Sequence, residues 1–365
     1  MMTMPLSEAA RVLDGHCRDG AVVCRGVSTD SRQLQAGNLF VALQGPNFDG
    51  HDYLDRAIEQ GAAAAAVSRP VASNLPLLEV DDTRLALGRL AGHWRSRFDL
   101  PVIAITGSNG KTTVRAMTQA IMECAGPTLS TQGNLNNDIG VPLTLFRLAA
   151  EDRYAVVEMG ANHPGEIAEL ARIAAPNVGL ITNVGKAHLE GFGSLVGVLE
   201  AKSELYAYLA DQGGTAIVDG RDQVLLKKAG ELGLDFQVAG PGKDLPVEVR
   251  LLRQTPTLEV ELILGEKKYP LTTHLVGAYN LQNILLAAAA GLYFGVAKEA
   301  IAAAISGYHP ENQRSQLIKG SRNHVVLDSY NANPSSMREA IEGIQSYAQA
   351  PVMLILGDMA ELGAS

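Results

Sequence analysis

Hydrophobic and polar positions alternate in two different ways along the chain, and the change falls near Leu100. Residues 1–98 combine short apolar runs, such as 38–43, with a helical run at 53–61 and with polar, Gly-rich loops. After Leu100, apolar runs that resemble buried strands are followed repeatedly by amphipathic helical segments. This repeat predicts a mostly parallel sheet that helices cover on both faces. The runs that we interpret as strands are PVIAITG, YAVVEMG, NVGLITNVG and TAIVDG.

The second half of the chain changes its pattern twice more. Residues 235–276 have the pattern of antiparallel strands with turns, and Ala-rich helices are predicted at about 280–294 and 297–306. A further unit begins after His309, with a strand in HVVLDSY, a helix that begins near Asn333 and a strand in VMLILGD. One βαβ unit is too small to form a core of its own, so we expect this last domain to be incomplete.

The chain is therefore predicted to be an α/β protein with three domains. Open parallel sheets bind their ligands at the carboxyl ends of the strands, so the main site is expected in the second domain. The predicted domains are residues 1–98, residues 99–310 and residues 311–365.

The composition argues against several classes of function. Hydrophobic residues make up 47% of the 365 residues and charged residues 19%, which is typical of a globular protein. The net charge of −9 argues against a nucleic-acid surface, because such a surface depends on clustered Lys and Arg. The three cysteines include no C-x-x-C pair, and no apolar segment approaches the length of a membrane span. We therefore expect a cytoplasmic protein without disulfides, structural zinc or membrane insertion.

The first strand of the second domain runs into ITGSNGKTTV, which is typical of a phosphate-binding loop. A Gly-rich turn between a strand and a helix presents main-chain N–H groups to phosphate oxygens. Lys111 would add a positive charge there, and Thr112 would offer a hydroxyl to Mg²⁺. Ile105 replaces the first glycine of a Walker A motif, so a tight turn with a solvated lysine is the alternative. The predicted phosphate-binding residues are Gly107, Ser108, Asn109, Gly110, Lys111, Thr112 and Thr113.

Polar side chains also follow the next two predicted strands. Glu158 ends YAVVE, where a carboxylate could hold Mg²⁺, and His188 follows NVGLITNVG. Because the carboxyl ends of parallel strands share one edge, these side chains are expected near the phosphate loop. Each also has a structural explanation, as a carboxylate that faces water or as a structural histidine. The segment TQGNLNNDIGVP, which contains Asn134 and Asn137, fits a polar turn equally well.

Together these motifs resemble the Mur ligases of peptidoglycan synthesis. The resemblance runs from about Val27 to Ser365 and rests on TGSNGKTT, GNLNNDIGVP, EMGANHPGEI, ITNVGKAHLEGFGS, GAYNLQNILLAAA and LDSYNANPSS. It implies a small mixed α/β N-terminal domain, a central P-loop-type ATPase domain with a parallel sheet, and a truncated Rossmann-like C-terminal domain. The implied reaction uses ATP and Mg²⁺ to join D-alanyl-D-alanine to UDP-N-acetylmuramoyl-tripeptide through an acyl phosphate. We expect the protein to be a monomer.

The resemblance further implies roles for individual residues. Those expected around magnesium are Thr112, Glu158, His188 and a carbamylated Lys202, and Lys111 completes the catalytic set. Outside the phosphate loop, those expected to bind the nucleotide are Asn280, Asn283, Arg314 and Asp328. Those expected to bind the substrates are Ser31, Arg32, Asp49, His51, Asn134, Asn137, Tyr330, Asn331 and Asn333. Without the resemblance, Lys202 would be interpreted as a solvated helical lysine.

Other functions remain open on the sequence alone. Within related ligases, the alternatives are a sibling that adds the third amino acid of the peptide and a folylpolyglutamate synthetase. A P-loop switch that hydrolyses nucleotide is an alternative from a different class, but the chain has no NKxD-like guanine motif. A dinucleotide-binding oxidoreductase would need G-x-G-x-x-G at the first turn, and GSNGKT contradicts it.

Overall fold

A computed structural model describes four stretches of the chain, which form two compact units. The described stretches are residues 2–185, 189–311, 313–347 and 351–359. The first unit consists of Met1–Leu100, Asn134–Asp152 and Glu169–Ala175. The second unit consists of Pro101–Gly133, Arg153–Ala168 and Pro176–Ser365. No helix within the described stretches is long and apolar enough to cross a membrane.

The strands are short in the first unit and longer towards the middle of the chain. In chain order they are β1 (Thr3–Pro5), β2 (His16–Cys17), β3 (Val23–Arg25), β4 (Val27–Ser28), β5 (Leu39–Val41), β6 (Gln44–Gly45), β7 (Phe48–Asp49), β8 (Ala64–Val67), β9 (Leu77–Glu79), β10 (Val102–Thr106), β11 (Thr128–Ser130), β12 (Tyr154–Glu158), β13 (Val178–Ile181), β14 (Thr215–Asp219), β15 (Asp235–Ala239), β16 (Val247–Thr255), β17 (Thr257–Leu264), β18 (Lys267–Val276), β19 (Gln316–Lys319) and β20 (His324–Leu327).

The helices lie mainly between these strands. They are α1 (Leu6–Leu13), α2 (Leu54–Glu59), α3 (Thr83–Arg95), α4 (Lys111–Glu123), α5 (Gly140–Leu145), α6 (Glu166–Ala174), α7 (Leu189–Phe192), α8 (Leu195–Gln212), α9 (Gln223–Glu231), α10 (Asn280–Tyr293), α11 (Lys298–Gly307) and α12 (Pro334–Tyr347), and a 3-10 turn covers Gly50–Tyr53.

The first unit is built on a five-stranded mixed sheet with the order β2-β9-β8-β5-β4. Its central strands β5 and β8 are fully buried, which explains their continuous apolar sequence. The longest helix of this unit, α3, begins after Asp82, whose carboxylate accepts hydrogen bonds from the main-chain N–H groups of Arg84 and Leu85. The unit is therefore a small mixed α/β domain, as the sequence predicts.

The second unit contains a six-stranded parallel sheet with the order β11-β12-β10-β13-β14-β15. In the central strand β10, every residue is buried. Its neighbours are β12, with Ile105 opposite Glu158, and β13, with Thr106 opposite Ile181. These three strands therefore end at the same edge of the sheet, which brings the phosphate loop and Glu158 together.

An antiparallel sheet of β16, β17 and β18 completes the core of this unit with α10 and α11. Residues of β17 alternate between buried and partly exposed positions, so only one face of the strand packs against the core. Helix α10 is buried along most of its length, because it packs against both α4 and β16. Its first turn carries Asn280 and Asn283 beside the phosphate loop.

Two of the strand predictions are wrong. The segment 235–239 forms β15, which pairs in parallel with β14 and is not part of the antiparallel sheet. Helix α9 lies between these two strands, and such a crossover permits a parallel pair. The run VMLILGD was predicted to be a strand, but residues 351–359 form no regular element. Strand β19, which pairs antiparallel with β20, was not predicted.

Candidate functional site

The phosphate loop connects β10 to α4 through four residues, 107–110. Two of its glycines have left-handed backbone angles, with φ of +138° at Gly107 and +80° at Gly110. A Cβ atom on Gly107 would lie 2.1 Å from Thr182 Oγ1, and one on Gly110 would lie 2.3 Å from Asn283 Oδ1. Both positions therefore require glycine for conformation and for space.

The end of β13 holds this loop in place. Ser108 N donates a hydrogen bond of 3.0 Å to Asn183 O, and Asn109 N donates one of 3.0 Å to Asn183 Oδ1. The ammonium group of Lys111 lies over the loop, where Nζ donates to Gly107 O at 2.7 Å and to Ser108 O at 3.0 Å. The predicted residues Gly107 to Lys111 thus form one compact turn at the N-terminus of α4.

Glu158 and Thr112 form the polar centre of the site. Glu158 is completely buried, and its Oε1 accepts a hydrogen bond of 3.1 Å from Thr112 Oγ1. Its main-chain N–H donates to Thr131 Oγ1 at 3.0 Å, which fixes the end of β12. Two hard oxygen donors, a hydroxyl and a carboxylate, are therefore adjacent, and this is the donor set that Mg²⁺ prefers.

Arg115 is a member of this cluster that the sequence prediction missed. It is only 8% exposed, and its Nε lies 3.9 Å from Glu158 Oε2. Its Nη1 donates to Gln119 Oε1 at 3.1 Å and to Ser130 Oγ at 3.4 Å. Burial lowers the pKa of this guanidinium, and the Glu158 carboxylate acts in the opposite direction. The available signal was its helical spacing, since Arg115 follows Thr112 by three residues and so shares its face.

Lys202 lies on α8 and is 1% exposed, so the interpretation as a solvated lysine, which the pattern alone favoured, is wrong. Its Nζ donates a hydrogen bond of 3.3 Å to Ala161 O and lies 5.3 Å from the centre of the Phe192 ring. Burial and, to a smaller extent, the charge of Lys111 lower the pKa of this amine to about 7. A large fraction of Lys202 is therefore uncharged at neutral pH.

The same helix holds the loop that follows β12. The Glu204 carboxylate accepts hydrogen bonds from Gly165 N at 2.6 Å and from Ala168 N at 3.0 Å. Glu166 accepts two further main-chain bonds, from Asn162 N and His163 N. The motif EMGANHPGEI thus folds into a turn whose carbonyl at Ala161 contacts Lys202.

The two asparagines of α10 form a pair beside the phosphate loop. Asn283 Nδ2 donates a hydrogen bond of 2.8 Å to Asn280 Oδ1, and Asn280 Nδ2 donates one of 2.9 Å to Val276 O. Both residues are buried. Their assignment to the adenine side of the nucleotide stays a prediction, because their described contacts involve each other, Val276 and the space around Gly110.

The predicted residues of the last segment also lie in the second unit. Arg314 stacks on the Tyr330 ring with its Cζ 3.9 Å from the ring centre. Both carboxylate oxygens of Asp328 accept hydrogen bonds from Ser315, from its N at 3.1 Å and from its Oγ at 3.2 Å. Asn331 Oδ1 accepts a bond from the N–H of the following residue.

Asn333 connects this last segment to the phosphate loop. Its Nδ2 donates a hydrogen bond of 2.7 Å to Asn109 Oδ1, while its Oδ1 accepts one from Ser336 N and caps the start of α12. A residue that is predicted to bind the substrate therefore contacts a residue that is predicted to bind phosphate.

The predicted substrate residues of the first unit have local structural partners. The Asp30 carboxylate forms a two-pronged ion pair with Arg32, whose side chain is 71% exposed, and Ser31 is buried. His51 Nδ1 lies 2.6 Å from Asp49 Oδ1, and His51 Nε2 accepts a bond of 2.9 Å from Ser68 N. Because Nε2 accepts, Nδ1 carries the proton and donates to Asp49.

Asn134 and Asn137 belong to the segment before α5. Asn134 is exposed, and Asn137 Oδ1 accepts hydrogen bonds from Ile139 N at 3.3 Å and from Gly140 N at 2.9 Å. Asn137 therefore has a structural function as a cap of this turn. A substrate contact of either side chain stays a prediction.

One predicted metal ligand, His188, lies outside the described residues. Among the residues that are described, no group of three His, Cys, Asp or Glu side chains converges as a metal cluster would. The metal set proposed from the sequence consequently depends on the Thr112 hydroxyl, on Glu158 and on a modified Lys202.

The fold and this geometry define a nucleotide-binding α/β protein with a phosphate loop at the edge of a parallel sheet. Three family models match the chain: "Mur ligase family, catalytic domain" at residues 23–95, "Mur ligase middle domain" at 105–291 and "Mur ligase, glutamate ligase domain" at 313–365. The chain therefore belongs to the Mur ligase family.

Individual relatives agree with this assignment. The UDP-N-acetylmuramoyl-tripeptide–D-alanyl-D-alanine ligase of Escherichia coli is 41% identical, over 100% of this chain and 81% of the relative. The crystal structure of MurF from Acinetobacter baumannii has a TM-score of 0.91 at 34% identity and covers 100% of this chain and 81% of its own. MurF from Thermotoga maritima in complex with ADP has a TM-score of 0.82 at 26% identity, over 93% and 79% of the two chains.

Proposed function

We propose that this chain is an ATP-dependent ligase that joins D-alanyl-D-alanine to UDP-N-acetylmuramoyl-tripeptide. The observation that carries the proposal is the 41% identity to the Escherichia coli ligase over the whole chain, combined with the intact phosphate loop. A structure of a relative with ADP supports the choice of nucleotide. The proposed reaction uses cytoplasmic precursors, so we place the protein in the cytoplasm. We also propose that it is a monomer.

The chemistry proceeds in two steps. A carboxylate oxygen of the tripeptide attacks the γ-phosphorus of ATP, and ADP leaves. The amine of D-alanyl-D-alanine then attacks the acyl carbon, loses a proton and expels phosphate, which forms the amide. In this scheme the N–H groups at the N-terminus of α4 hold the phosphates, because those of Ser108 and Asn109 donate to Asn183. Lys111 leaves the loop carbonyls to neutralise charge on the transferring group. Positioning of the amine favours it over water, because effective molarities of roughly 10⁵ to 10⁸ M exceed that of the solvent.

The buried oxygen donors fit a magnesium ion. Thr112 Oγ1 and Glu158 Oε1 are 3.1 Å apart and are both protected from solvent, so together they would hold a hard divalent cation. Bound Mg²⁺ would supply charge neutralisation for the phosphoryl oxygens. We assign His188 to the same set on the resemblance alone.

Lys202 fits the expected carbamylation. Its amine is buried, and burial and the charge of Lys111 together outweigh the attraction of Glu166 and Glu204 for its protonated form. Reaction of the neutral amine with CO₂ would release a proton and leave a carbamate, which has a negative charge. The repulsion between the two lysines would then become an attraction, and the carbamate oxygens could take part in cation binding.

The remaining predicted residues divide into a nucleotide group and a substrate group. We assign Asn280, Asn283, Arg314 and Asp328 to the nucleotide, and Ser31, Arg32, Asp49 and His51 to the UDP-sugar end of the substrate. We assign Asn134, Asn137, Tyr330, Asn331 and Asn333 to the substrate cleft. The contact between Asn333 and Asn109 supports the last assignment, because it joins the cleft to the phosphate loop.

A panel of amines tests the proposed reaction. ADP release is measured with UDP-N-acetylmuramoyl-tripeptide and with D-alanyl-D-alanine, single amino acids or no amine, and Lys111→Met serves as the inactive control. We expect continued ADP release only when the tripeptide and D-alanyl-D-alanine are both present, and at most one equivalent with the tripeptide alone. Turnover with single amino acids but not with D-alanyl-D-alanine would reassign the chain to a sibling ligase. ADP release that ignores both substrates would indicate a nucleotide switch.

A further inference from the structure

Arg115 is a buried charge next to the carboxylate that we assign to the metal. It projects from α4, one helical turn after Thr112, and is 8% exposed. Buried arginines are rare unless they are paired, because removal of a guanidinium from water is costly. Its partners are Gln119, Ser130 and the Glu158 carboxylate.

The two oxygens of Glu158 face two side chains of the same helix. Oε1 accepts a hydrogen bond from Thr112 Oγ1 at 3.1 Å, and Oε2 lies 3.9 Å from Arg115 Nε. Gln119 and Ser130 hold Nη1 of the guanidinium, which keeps the charged group 3.9 Å from the carboxylate, at ion-pair distance and without a hydrogen bond from Nε to Oε2. The carboxylate therefore presents Oε1 to the phosphate loop while Oε2 rests against a fixed positive charge.

Stability alone is a poor explanation for this pair. A buried ion pair often contributes less to folding than apolar side chains of similar volume, whereas loss of one partner is strongly destabilising. Apolar side chains on other faces of the same helix, including Val114 and Met117, are buried in the core of this unit. Glu158 acts on the Arg115 pKa more strongly than Glu311 does, so it is the carboxylate that this fixed charge mainly balances and orients.

We propose that Arg115 is the positioning residue of Glu158 and serves as its counter-ion until a divalent cation binds at Oε1. This inference rests on the proposed function, in which Glu158 contacts Mg²⁺. Two consequences follow. Without a cation, loss of Arg115 removes a positive charge from beside a buried carboxylate. With a cation, the bound ion supplies that charge, so the cation binds more tightly to a variant that lacks Arg115.

A double-mutant cycle tests the first consequence without catalysis. Thermal unfolding is measured in EDTA for the unchanged chain and for Arg115→Met, Glu158→Gln and the double variant. We expect Arg115→Met to lower the melting temperature by roughly 5–10 °C, and the double variant to recover at least half of that loss. If the double variant is no more stable than Arg115→Met, Arg115 only fills space and the proposal is wrong. Should Arg115→Met fail to fold, Arg115→Gln gives the same cycle and can retain the bonds to Gln119 and Ser130.

Titration with MnCl₂ alone tests the second consequence. We expect the Mn²⁺ affinity, followed by the shift in melting temperature, to rise about tenfold in Arg115→Met, to change less than threefold in Arg115→Lys and to disappear in Glu158→Gln. Arg95→Met is the matched control, because Arg95 is 7% exposed and donates to the main-chain carbonyls of Ala174, Phe98 and Leu100. It should lose stability with no change in Mn²⁺ affinity. An unchanged affinity in Arg115→Met would overturn the proposal.

The two proposals can fail separately. If the unchanged protein ligates D-alanyl-D-alanine but the cycle shows no coupling, only the role of Arg115 is wrong. If the coupling and the Mn²⁺ response are present but no amine is ligated, the counter-ion role stands and the proposed reaction fails.

Discussion

The phosphate-loop site and the Asp49–His51 turn both contain buried polar residues that the sequence resemblance selected, but their surroundings differ. At the turn, His51 donates to Asp49 and accepts from Ser68 N, so the fold itself uses both of its ring nitrogens. At the loop, Glu158 and Lys202 are almost fully buried at strand and helix positions that apolar residues could occupy. Buried charged residues such as Glu158 and Lys202 are costly for folding. Their presence therefore indicates a function more strongly than the presence of polar residues that complete a turn.

Lys111→Met should have the largest effect on nucleotide binding. The ammonium group carries the charge that we assign to the terminal phosphates, and its loss should weaken ATP binding by about 100-fold, or ~3 kcal/mol. Isothermal titration with ATP and Mg²⁺ measures the change. Lys227→Met, at a 79% exposed side chain, is the control and should bind as before. If both variants bound ATP equally well, the phosphate loop would have no special function in nucleotide binding, and this part of the comparison would be wrong.

Gly110→Ala, compared with a control glycine, distinguishes the cost of a steric clash in the loop from the cost of a positive φ. The new Cβ would lie 2.3 Å from Asn283 Oδ1 at a φ of +80°, so the loop or Asn283 must move. Gly233→Ala is the matched control, with a φ of +62° and no atom within 4 Å of the new Cβ. We expect a cost of about 1 kcal/mol for the control and at least 1 kcal/mol more for Gly110→Ala, with nucleotide affinity reduced about tenfold. Urea unfolding and titration measure both. Identical costs would show that Asn283 exerts no constraint.

His51→Ala should lower the stability of the fold and leave ATP binding unchanged. It removes two hydrogen bonds at a buried side chain, so we expect a loss of about 2 kcal/mol in the free energy of unfolding. The exposed Arg32 provides the contrast, because Arg32→Ala should change stability by less than about 0.5 kcal/mol and weaken binding of the UDP-substrate. The comparison is contradicted if His51→Ala keeps full stability, whatever its effect on binding of the UDP-substrate.

The smallest effect is expected at His274, which stacks on His309 with ring centres 3.6 Å apart. Burial, with His309 and Lys319, lowers the pKa of His274 below 6.5. The unfolded chain therefore binds a proton first, so stability falls as the pH decreases from about 6.5 towards the folded pKa. His274→Gln should flatten this part of the profile by on the order of a few tenths of a kcal/mol. An unchanged profile between pH 7 and 5 would contradict the assignment.

The sequence was sufficient to predict the parallel sheet, because buried strands and amphipathic helices differ in the spacing of their hydrophobic residues. It also located Glu158 at a strand end, and the register with Ile105 confirms that β12 runs beside β10. The partner of a strand is harder to predict, since the period of the hydrophobic residues along a strand does not show whether its neighbour is parallel or antiparallel. This is why β15 was assigned to the wrong sheet.

Side-chain networks were the other limit of the sequence. Arg115 contacts Glu158 from another element, 43 positions away, and nothing in the local pattern indicates that pairing. The burial of Lys202 has the same origin, because α8 is apolar enough on several faces that its spacing does not define which side is covered. Three-dimensional packing decides both cases.

The central claim is that Thr112 and Glu158 hold the divalent cation of an ATP-dependent ligase. A crystal grown with ADP and Mn²⁺, examined by anomalous scattering, tests it most directly. We predict one manganese peak at about 2.1 Å from both Thr112 Oγ1 and Glu158 Oε1, with the nucleotide phosphates on the other side of the ion. A manganese peak elsewhere, with the Thr112–Glu158 hydrogen bond intact beside bound ADP, would contradict the account.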